Sequence, residues 1–353
     1  MSETRDRVRI CLVGAGRAGI VHGRNYARAI PGAEVVAVVD TVASARDALA
    51  QELGGRAFET LPQALESVTC DAVCIATPTF THHALALLAA AAGKHILCEK
   101  PMALTAAEGL AMIAAVRRAG VIFQMGFMRR YDAEYEEAHG LIAQGAIGRV
   151  IFLRSLTRGP GLPPRWALDT SRSHGLFGEV NSHDVDVIRW LSGSEFVKVY
   201  AQARALKALD VLSDHPDFYD VGVVLGELGN AALATIDGAC PVEYGYDARV
   251  EVLGTEGMLS VGALPEGALL RVTRDGQVAQ HTFRSWRDRH RSAYLRQDQA
   301  FVESIRTGRS PRAGAVDGLR ALEVVLAAVD SLRSGRAEPV QRHETTAAGE
   351  AAP

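Results

Sequence analysis

The sequence predicts an α/β protein in which a doubly wound parallel sheet precedes an α+β region with a large, mostly antiparallel open sheet. Between residues 8 and 125, short apolar runs of strand length alternate with helical segments, a pattern typical of parallel strands joined by crossover helices. From residue 196 to 283, strand-like segments follow one another without helices between them. We therefore expect an N-terminal domain at 1–128, a C-terminal α+β domain at 129–340 and a polar, disordered tail at 341–353.

Length and composition narrow the class of protein. The 353 residues suffice for two domains, and the formal net charge of −3 provides no basic surface for nucleic acid or an anionic membrane. Residues 1–7 lack the apolar core of a signal peptide, and the most apolar run, 84–92, is far shorter than the roughly 20 residues of a membrane span. The five cysteines show no common zinc spacing. We expect a cytoplasmic protein with no metal, nucleic-acid partner or membrane contact.

A glycine-rich turn after the first predicted strand carries the strongest functional signal. Gly14, Gly16 and Gly19 have G-x-G-x-x-G spacing directly after the apolar run 8–13. In this motif the first glycine permits a tight turn, the second lets the backbone approach a pyrophosphate, and the third lets the helix pack on the strand. Asp40, after the second strand, is placed to accept hydrogen bonds from both ribose hydroxyls and to repel a 2′-phosphate. These residues predict a Rossmann domain that binds NAD rather than NADP.

The remaining elements of the first region continue the alternation. Predicted helices lie at 44–53, 61–66, 82–92 and 105–118, and predicted strands at 35–39, 72–76, 95–98 and 121–125. Thr105 and Glu108 form a capping-box pattern at the start of the last helix. Because parallel strands end at one edge of a sheet, we expect the ligand-binding residues there. The cofactor-binding candidates are Gly14, Gly16, Arg17, Ala18, Gly19, Asp40, Thr77, Pro78, His82, Glu99 and Lys100.

The second region has a different pattern. It begins with a predicted helix at 132–144, a strand at 149–157, an irregular loop at 159–164 and a helix at 178–191. Predicted strands then lie at 197–203, 218–224, 231–237, 248–253, 258–261, 269–274 and 278–283, with closing helices at 291–307 and 316–334. One face of this sheet is available to helices or to a partner subunit, so a homodimer or homotetramer is the expected assembly.

Lys100 is the first candidate catalytic residue. It stands in Glu99-Lys100-Pro101, immediately after a predicted strand at the ligand-binding edge. A lysine beside a nicotinamide can hydrogen-bond a substrate hydroxyl and share its proton as the hydride leaves the carbon. The alternative is a surface lysine in a salt bridge.

His183 is the second candidate, in a segment rich in acids. In one continuous helix, Glu179, His183 and Asp186 would share a face. A carboxylate beside an imidazole fixes its tautomer and raises its basicity, which suits abstraction of an alcohol proton. The same spacing can hold a metal or form a solvated polar network.

Together these motifs resemble the glucose–fructose oxidoreductase / inositol dehydrogenase (Gfo/Idh/MocA) family over about residues 8–340. The ordered set that carries the resemblance is Gly14 to Gly19, Thr77-Pro78 with His82, Glu99-Lys100-Pro101, residues 126–132, and His183-Asp184-x-Asp186 with Arg189-Trp190-Leu191. The resemblance implies that Lys100 and His183 act at the reacting carbon. Residues 244–251 resemble the inositol 2-dehydrogenase branch in particular. The family usually has Asp where Glu179 stands, and the extra methylene displaces the carboxylate by roughly an ångström.

We therefore expect an NAD-dependent dehydrogenase that oxidises a secondary ring hydroxyl of a cyclitol or sugar to a ketone, similar to inositol 2-dehydrogenase. The candidates for substrate binding are Arg130, Arg165, Trp166, Asn181, Asp186, Tyr244 and Tyr246. Aromatic rings suit an apolar sugar face, and Arg165 suits a phosphate or carboxylate. One alternative is a dehydrogenase of a glycoside, aminosugar or aminoglycoside intermediate. Another is a non-catalytic NAD-binding regulator, against which the joint presence of Lys100 and His183 argues.

Overall fold

The computed structural model describes residues 7–267 and 269–345, which fall into two compact units. The first unit contains the described residues through Tyr131, Ser292–Leu322, and the described residues from His343 onward. The second contains Asp132–Arg291 and Glu323–Arg342. The division into domains at 1–128 and 129–340 stays a prediction. Most of the expected disordered tail lies outside the described residues, and the described part of it, 341–345, contains neither helix nor strand.

The first unit is built on a six-stranded parallel sheet, as predicted. Its strands are β1 (Val8–Val13), β2 (Ala33–Val39), β3 (Arg56–Phe58), β4 (Ala72–Ile75), β5 (His95–Cys98) and β6 (Phe123–Met125). They lie in the order β3-β2-β1-β4-β5-β6, so the chain changes direction across the sheet between β1 and β4. Ligands of doubly wound sheets bind beyond the carboxyl ends of the strands at this point. The sequence prediction missed β3, whose three residues are too few to show a pattern.

Helices connect these strands, and their ends follow local sequence signals. They are α1 (Arg17–Arg24), which continues as a π-helical turn (Asn25–Ala29), α2 (Ala43–Leu53), α3 (Leu61–Ser67), α4 (His82–Ala91) and α5 (Ala106–Ala119). Thr60 and Thr105 each form a complete capping box. Gly54 ends α2 in the left-handed conformation that glycine adopts without strain. The predicted helices are therefore confirmed to within one or two residues.

A seven-stranded mixed sheet forms the centre of the second unit. Its strands are β7 (Val150–Arg158), β8 (Phe196–Arg204), β9 (Val221–Leu228), β10 (Leu233–Ala239), β11 (Asp247–Gly254), β12 (Met258–Val261) and β15 (Glu338–Pro339). They lie in the order β12-β11-β7-β10-β9-β8-β15. The neighbours β7 and β10 run parallel and the other neighbours antiparallel, which confirms a mostly antiparallel sheet.

Three strand predictions in this unit need correction. The strands predicted at 269–274 and 278–283 shrink to a small separate hairpin of β13 (Arg271–Val272) and β14 (Val278–Ala279). The strand predicted at 218–224 begins at Val221, because Asp220 instead binds the backbone N–H groups of residues 206–208. The short strand β15 was not predicted, since Pro339 is unfavourable in a strand interior and is tolerated here at the sheet edge.

The helices of the second unit are short, and one predicted helix is wrong. They are α6 (Ala133–Ala143), α7 (Arg165–Leu168), α8 (Gly175–Glu179), α9 (Ser182–Ser192) and α10 (Trp286–Arg289). The single helix predicted at 178–191 is two helices, α8 and α9. At the break, the N–H groups of Val180 and Asn181 both donate to the carbonyl of Leu176, so the regular i to i−4 pattern is lost.

Two long helices close the chain. They are α11 (Arg291–Thr307) and α12 (Ala315–Ser334), and both were predicted. Phe301 and Val302 of α11 are buried in one hydrophobic cluster with Ile10, Leu12 and Val38 of the parallel sheet. A helix from the end of the chain therefore completes the core of the first unit.

Among residues 7–267 and 269–345, no helix is long and apolar enough to cross a membrane.

Candidate active site

The glycine loop after β1 has the geometry that the sequence predicts. Gly14 has φ +104°, and a Cβ there would overlap the carbonyl of Ala76. A Cβ at Gly19 would overlap the carbonyl of Gly14, so the helix can approach the strand this closely only because both residues are glycine.

Gly16 differs from the other two glycines. A Cβ built on it meets no protein atom within 4 Å, and Gly16 and Arg17 are both exposed at the start of α1. The space beside Gly16 is therefore open, next to helix N–H groups that lack partners within the helix. This arrangement fits a diphosphate: the N–H groups attract an anion, and the missing side chain lets it come close. Arg17 is exposed and Ala18 half-buried in the first turn of α1, and their contact with a cofactor stays a prediction.

Asp40, at the end of β2, is tied to this loop. Its Oδ2 accepts the N–H of Ala15 at 2.7 Å, and its Oδ1 accepts the N–H of Val42 at 2.8 Å. Each carboxylate oxygen has a second lone pair, so the group can still accept hydrogen bonds from a ribose diol. Asp40 is half-buried, which leaves one side of it accessible to a ligand.

Thr77, Pro78 and His82 lie together after β4. Thr77 and Pro78 are half-buried, whereas His82 is completely buried. The His82 ring lies between two carbonyls, with Nδ1 2.8 Å from the oxygen of Pro101 and Nε2 2.9 Å from that of Thr77. Burial lowers the pKa of His82 although these carbonyls favour the protonated ring. His82 thus links the loops after β4 and β5, and its direct contact with a cofactor stays a prediction.

The Glu99-Lys100 turn follows β5, as predicted. Glu99 is buried, and its Oε2 accepts the backbone N–H of Lys100 at 3.2 Å. Its Oε1 lies 3.0 Å from Nε2 of His22, a completely buried histidine on α1. Lys100 itself is half-buried. The glutamate side chain therefore turns into the unit and holds the backbone of the lysine.

The helix break separates two residues that the sequence prediction placed on one helical face. Glu179 is the last residue of α8, and His183 is the second residue of α9. The prediction that Glu179, His183 and Asp186 share one face of a continuous helix is therefore wrong. His183 and Asp186 remain together on α9, and both are buried.

Buried polar contacts fix the start of α9. Asp184 accepts hydrogen bonds from Ser155 at 2.6 Å, from Thr157 at 2.9 Å and from the amide of Asn181 at 2.9 Å. Ser155 and Thr157 stand on β7, so Asp184 attaches α9 to the inner face of the mixed sheet. A Cβ at Gly238 on β10 would overlap the amide of Asn181. The backbone of His183, next to Asp184, is thereby held in one place.

Four of the seven predicted substrate residues are largely buried. Asn181 binds Asp184, Asp186 lies 3.5 Å from Arg189, and the ring of Tyr246 packs edge-on against His290. Arg130 donates to Asp317 at 2.9 Å and to a backbone carbonyl. These contacts give all four a structural role, and their contact with a substrate stays a prediction.

The other three substrate candidates are more accessible. Arg165 is exposed and Trp166 half-buried at the start of α7. Tyr244 is 43 % exposed, and its hydroxyl donates to Asp247 at 3.2 Å. It lines an open depression with Glu243 and Gln280.

Two charged residues near the Lys100 turn were not singled out from the sequence. Asp298 on α11 and His22 on α1 are both completely buried, with Oδ1 of Asp298 2.7 Å from Nδ1 of His22. Each of these residues is a polar residue within a helix. Sequence periodicity alone does not show whether such a residue is buried or exposed, so neither was identified. Within the described part of the chain, no group of three or more His, Cys, Asp or Glu residues is arranged to hold a metal.

Comparison with known families matches both parts of the chain. Residues 8–127 match the NAD-binding Rossmann-fold model of the Gfo/Idh/MocA oxidoreductase family. Residues 135–260 match a C-terminal domain model of the same family.

Similar proteins cover nearly the whole chain. The scyllo-inositol 2-dehydrogenase (NAD(+)) of Bacillus subtilis is 34% identical over 336 residues, which are 95% of this chain and 96% of that protein. The crystal structure of scyllo-inositol dehydrogenase from Lactobacillus casei with bound NAD(H) and scyllo-inositol has a TM-score of 0.87 at 30% identity, covering 95% of this chain and 99% of that one. GenD2 from gentamicin A biosynthesis, in complex with NAD, has a TM-score of 0.86 at 28% identity, covering 97% and 98%.

Proposed function

The chain belongs to the Gfo/Idh/MocA oxidoreductase family, and from this premise we propose that it oxidises a secondary ring hydroxyl of a cyclitol to a ketone, as inositol 2-dehydrogenases do. The observation that carries the proposal is the Glu99-Lys100 turn at the carboxyl end of β5, on the same sheet edge as an open glycine loop. A lysine there is suited to a hydroxyl whose carbon loses a hydride.

The cofactor is NAD, which supplies the hydride acceptor when it is bound. Gly14, Gly16 and Gly19 would hold its diphosphate with the N–H groups of α1, and Asp40 would hold its adenosine ribose. The carboxylate of Asp40 would disfavour a 2′-phosphate, since two negative charges would meet there.

We assign the proton chemistry to three side chains. His183 accepts the proton of the hydroxyl as the carbon–hydrogen bond breaks, because a neutral imidazole is a base near neutral pH. Lys100 donates a hydrogen bond to the same oxygen and stabilises the charge that develops on it. The third is Glu179, whose role in orienting the imidazolium stays a prediction from the family resemblance, because α8 and α9 are separate helices. The products are a ring ketone, one proton and reduced cofactor, which balances the two electrons of the oxidation.

The substrate wall would come from the accessible candidates first. Trp166 and Tyr244 offer aromatic faces to an apolar ring face, and Arg165 offers hydrogen-bond donors to the rim. Asn181, Asp186, Arg130 and Tyr246 would contribute mainly through the buried contacts that hold their own surroundings.

A substrate screen tests the proposal. NAD reduction is followed by NADH absorbance across inositol isomers, free sugars and aminoglycosides at equal concentration. We expect the highest kcat/KM with an inositol isomer. If none of these alcohols reduces NAD although NADH binds to the protein, the chain is a binding protein and the proposal is wrong.

An aminoglycoside intermediate is the second candidate substrate. The similarity to GenD2 supports it, as does Glu179, which stands where the family usually has Asp. A preference for an aminoglycoside substrate in the screen would favour this candidate over a cyclitol.

We further propose a homodimer or homotetramer that forms through the outer face of the mixed sheet. Apolar side chains on three strands of this face are exposed, namely Val223 and Leu225 on β9, Leu233 on the neighbouring β10, and Leu253 on β11, which β7 separates from β10. An exposed apolar patch of this kind is typical of a protein interface. Leu225→Lys should reduce the mass measured by light scattering, whereas Leu206→Lys, an exposed leucine outside the sheet, should not. An unchanged mass for Leu225→Lys would contradict this interface.

We place the enzyme in the cytoplasm. All five cysteines are buried thiols, which suits a reducing compartment.

A further inference from the structure

Three buried ionisable side chains form a line through the first unit. His22 on α1 is in the centre, with Nδ1 2.7 Å from Oδ1 of Asp298 and Nε2 3.0 Å from Oε1 of Glu99. His22 and Asp298 have no exposed area, and Glu99 is 5% exposed. Charged side chains are rarely buried in proteins, and those that are buried are usually paired with an opposite charge.

The two carboxylates determine the protonation state of His22, which lies between them. A carboxylate can only accept hydrogen bonds, so a ring that lies between two carboxylates must donate from both nitrogens. Burial alone would lower the pKa of His22, but Asp298 and Glu99 together raise it to about 10. His22 is therefore a fixed imidazolium at neutral pH.

Each end of the line is also fixed. At one end, Asp298 accepts hydrogen bonds from the amide of Asn25 at 2.7 Å and from the hydroxyl of Tyr26 at 3.3 Å. At the other end, the second oxygen of Glu99 accepts the backbone N–H of Lys100. A Cβ at Gly126 would lie 2.8 Å from Oε1 of Glu99, so this carboxylate has little room to move.

We propose that Asp298, His22 and Glu99 form a positioning relay that fixes the backbone of Lys100, so that its ammonium group reaches the substrate hydroxyl in one orientation. The inference rests on the proposed function of Lys100. Asp298 and His22 are positioning residues that act through Glu99 and not by contact with substrate or cofactor. Displacement of a catalytic group by about 1 Å is enough to slow a reaction by roughly 10²-fold.

The main test compares Asp298→Asn with Asp71→Asn in the full-length protein. Asp298→Asn keeps the shape of the side chain and removes its charge. Asp71 forms a bidentate pair with Arg9 at the opposite edge of the same sheet, so it is a matched control. We expect Asp298→Asn to lower kcat roughly 10-fold with little change in KM for NAD. We expect Asp71→Asn to leave kcat unchanged. Equal effects of the two variants on kcat would overturn the relay.

A double variant separates positioning from general loss of structure. If the relay acts through Lys100, Asp298→Asn should slow single-turnover hydride transfer in the unaltered enzyme but not in the Lys100→Met background. The same slowing in both backgrounds would contradict the proposal. NADH binding, measured for every variant, identifies any that fail to fold. His22→Gln serves as a second disruption of the relay, with His95→Gln as its control at the other end of β5.

A chemical readout keeps this inference apart from the proposed function. Trace acetylation by acetic anhydride, read by peptide mass spectrometry, reports the reactivity of each lysine without any substrate. Asp298→Asn should change the acetylation rate of Lys100 and leave that of Lys94, directly before β5, unchanged. Should the substrate screen fail while this change is observed, the relay stands and the proposed function does not. An unchanged rate at Lys100 overturns the relay whatever the substrate is.

Discussion

The glycine loop after β1 and the helix α9 of the second unit are held by different means. In the glycine loop, the missing side chains set the backbone: Gly14 and Gly19 stand where a side chain would overlap a carbonyl. In α9, a buried carboxylate sets it: Asp184 accepts hydrogen bonds from Ser155, Thr157 and Asn181. The glycines form a contiguous motif that the sequence shows directly, although the carbonyl that limits Gly14 belongs to Ala76, whereas no contiguous motif marks the partners of Asp184.

The largest expected effect is on the rate of hydride transfer, and it tests the role of His183 in the second unit. His183→Ala should lower the rate of hydride transfer by roughly 10²–10⁴-fold, the usual scale for a positioned base. The affinity for NAD should barely change, because its proposed contacts lie at the glycine loop. Single-turnover measurements separate this step from product release. Hydride transfer at the unaltered rate in saturated His183→Ala would leave His183 with a binding role at most.

The next prediction concerns how the free energy of unfolding depends on pH through the buried His22. Since the pKa of His22 is raised to about 10 in the folded protein, against about 6.5 when unfolded, its stabilising effect is complete below pH ~6.5 and is lost as pH rises toward ~10. Within that window the free energy of unfolding should fall by up to roughly 1.4 kcal/mol per pH unit. Urea unfolding of the unaltered protein and of His22→Gln measures the difference. Equal slopes in the two proteins would show that His22 does not titrate in this way.

The third prediction tests whether buried side chains really fix α9. Asp184→Ala leaves the hydroxyls of Ser155 and Thr157 without their buried acceptor, which should cost about 2–4 kcal/mol of unfolding free energy. Asp210→Ala, on a short turn in the same unit, is the surface control and should cost less than about 0.5 kcal/mol. Similar losses for the two variants would remove the contrast between the regions.

Two glycine variants test the glycine loop after β1. Gly14→Ala should destabilise the fold by about 1–3 kcal/mol, because it adds both steric overlap and strain at φ +104°. Gly16→Ala should leave the melting temperature unchanged and weaken NAD binding by roughly tenfold, or about 1.4 kcal/mol, since only a ligand would fill that space. Unchanged NAD affinity in Gly16→Ala would contradict a diphosphate at this position.

The smallest predicted effect is on cofactor choice. Asp40→Ser should narrow the preference for NAD over NADP by roughly tenfold, the scale of one charge-assisted hydrogen bond. The ratio of kcat/KM for the two cofactors measures it. Equal efficiency with both cofactors in the unaltered enzyme would refute the role given to Asp40.

Residues that belong to a short contiguous motif were predicted well. The glycines after β1, the capping box at Thr105 and the strand at 95–98 all depend on local patterns, and the structure confirms them. The break between α8 and α9 was missed, and there Asn181 packs against Gly238, 57 residues away (238 − 181), a contact that no local pattern indicates. The pairing of His22 with Asp298 was missed for the same reason, since 276 residues separate them.

The position of α11 has a consequence for how the protein is made. Its residues Phe301 and Val302 complete the core of the first unit, and Asp298 neutralises part of the charge that His22 carries inside it. A ribosome that adds 5–20 residues per second needs roughly 10–40 s to proceed from Tyr131 to Leu322. During that interval the parallel sheet is synthesised but lacks its last helix, so its apolar surface needs protection from aggregation. A fragment that ends at Tyr131 should therefore be recovered mainly in inclusion bodies, and co-expression of residues 292–322 as a separate peptide should increase its soluble yield.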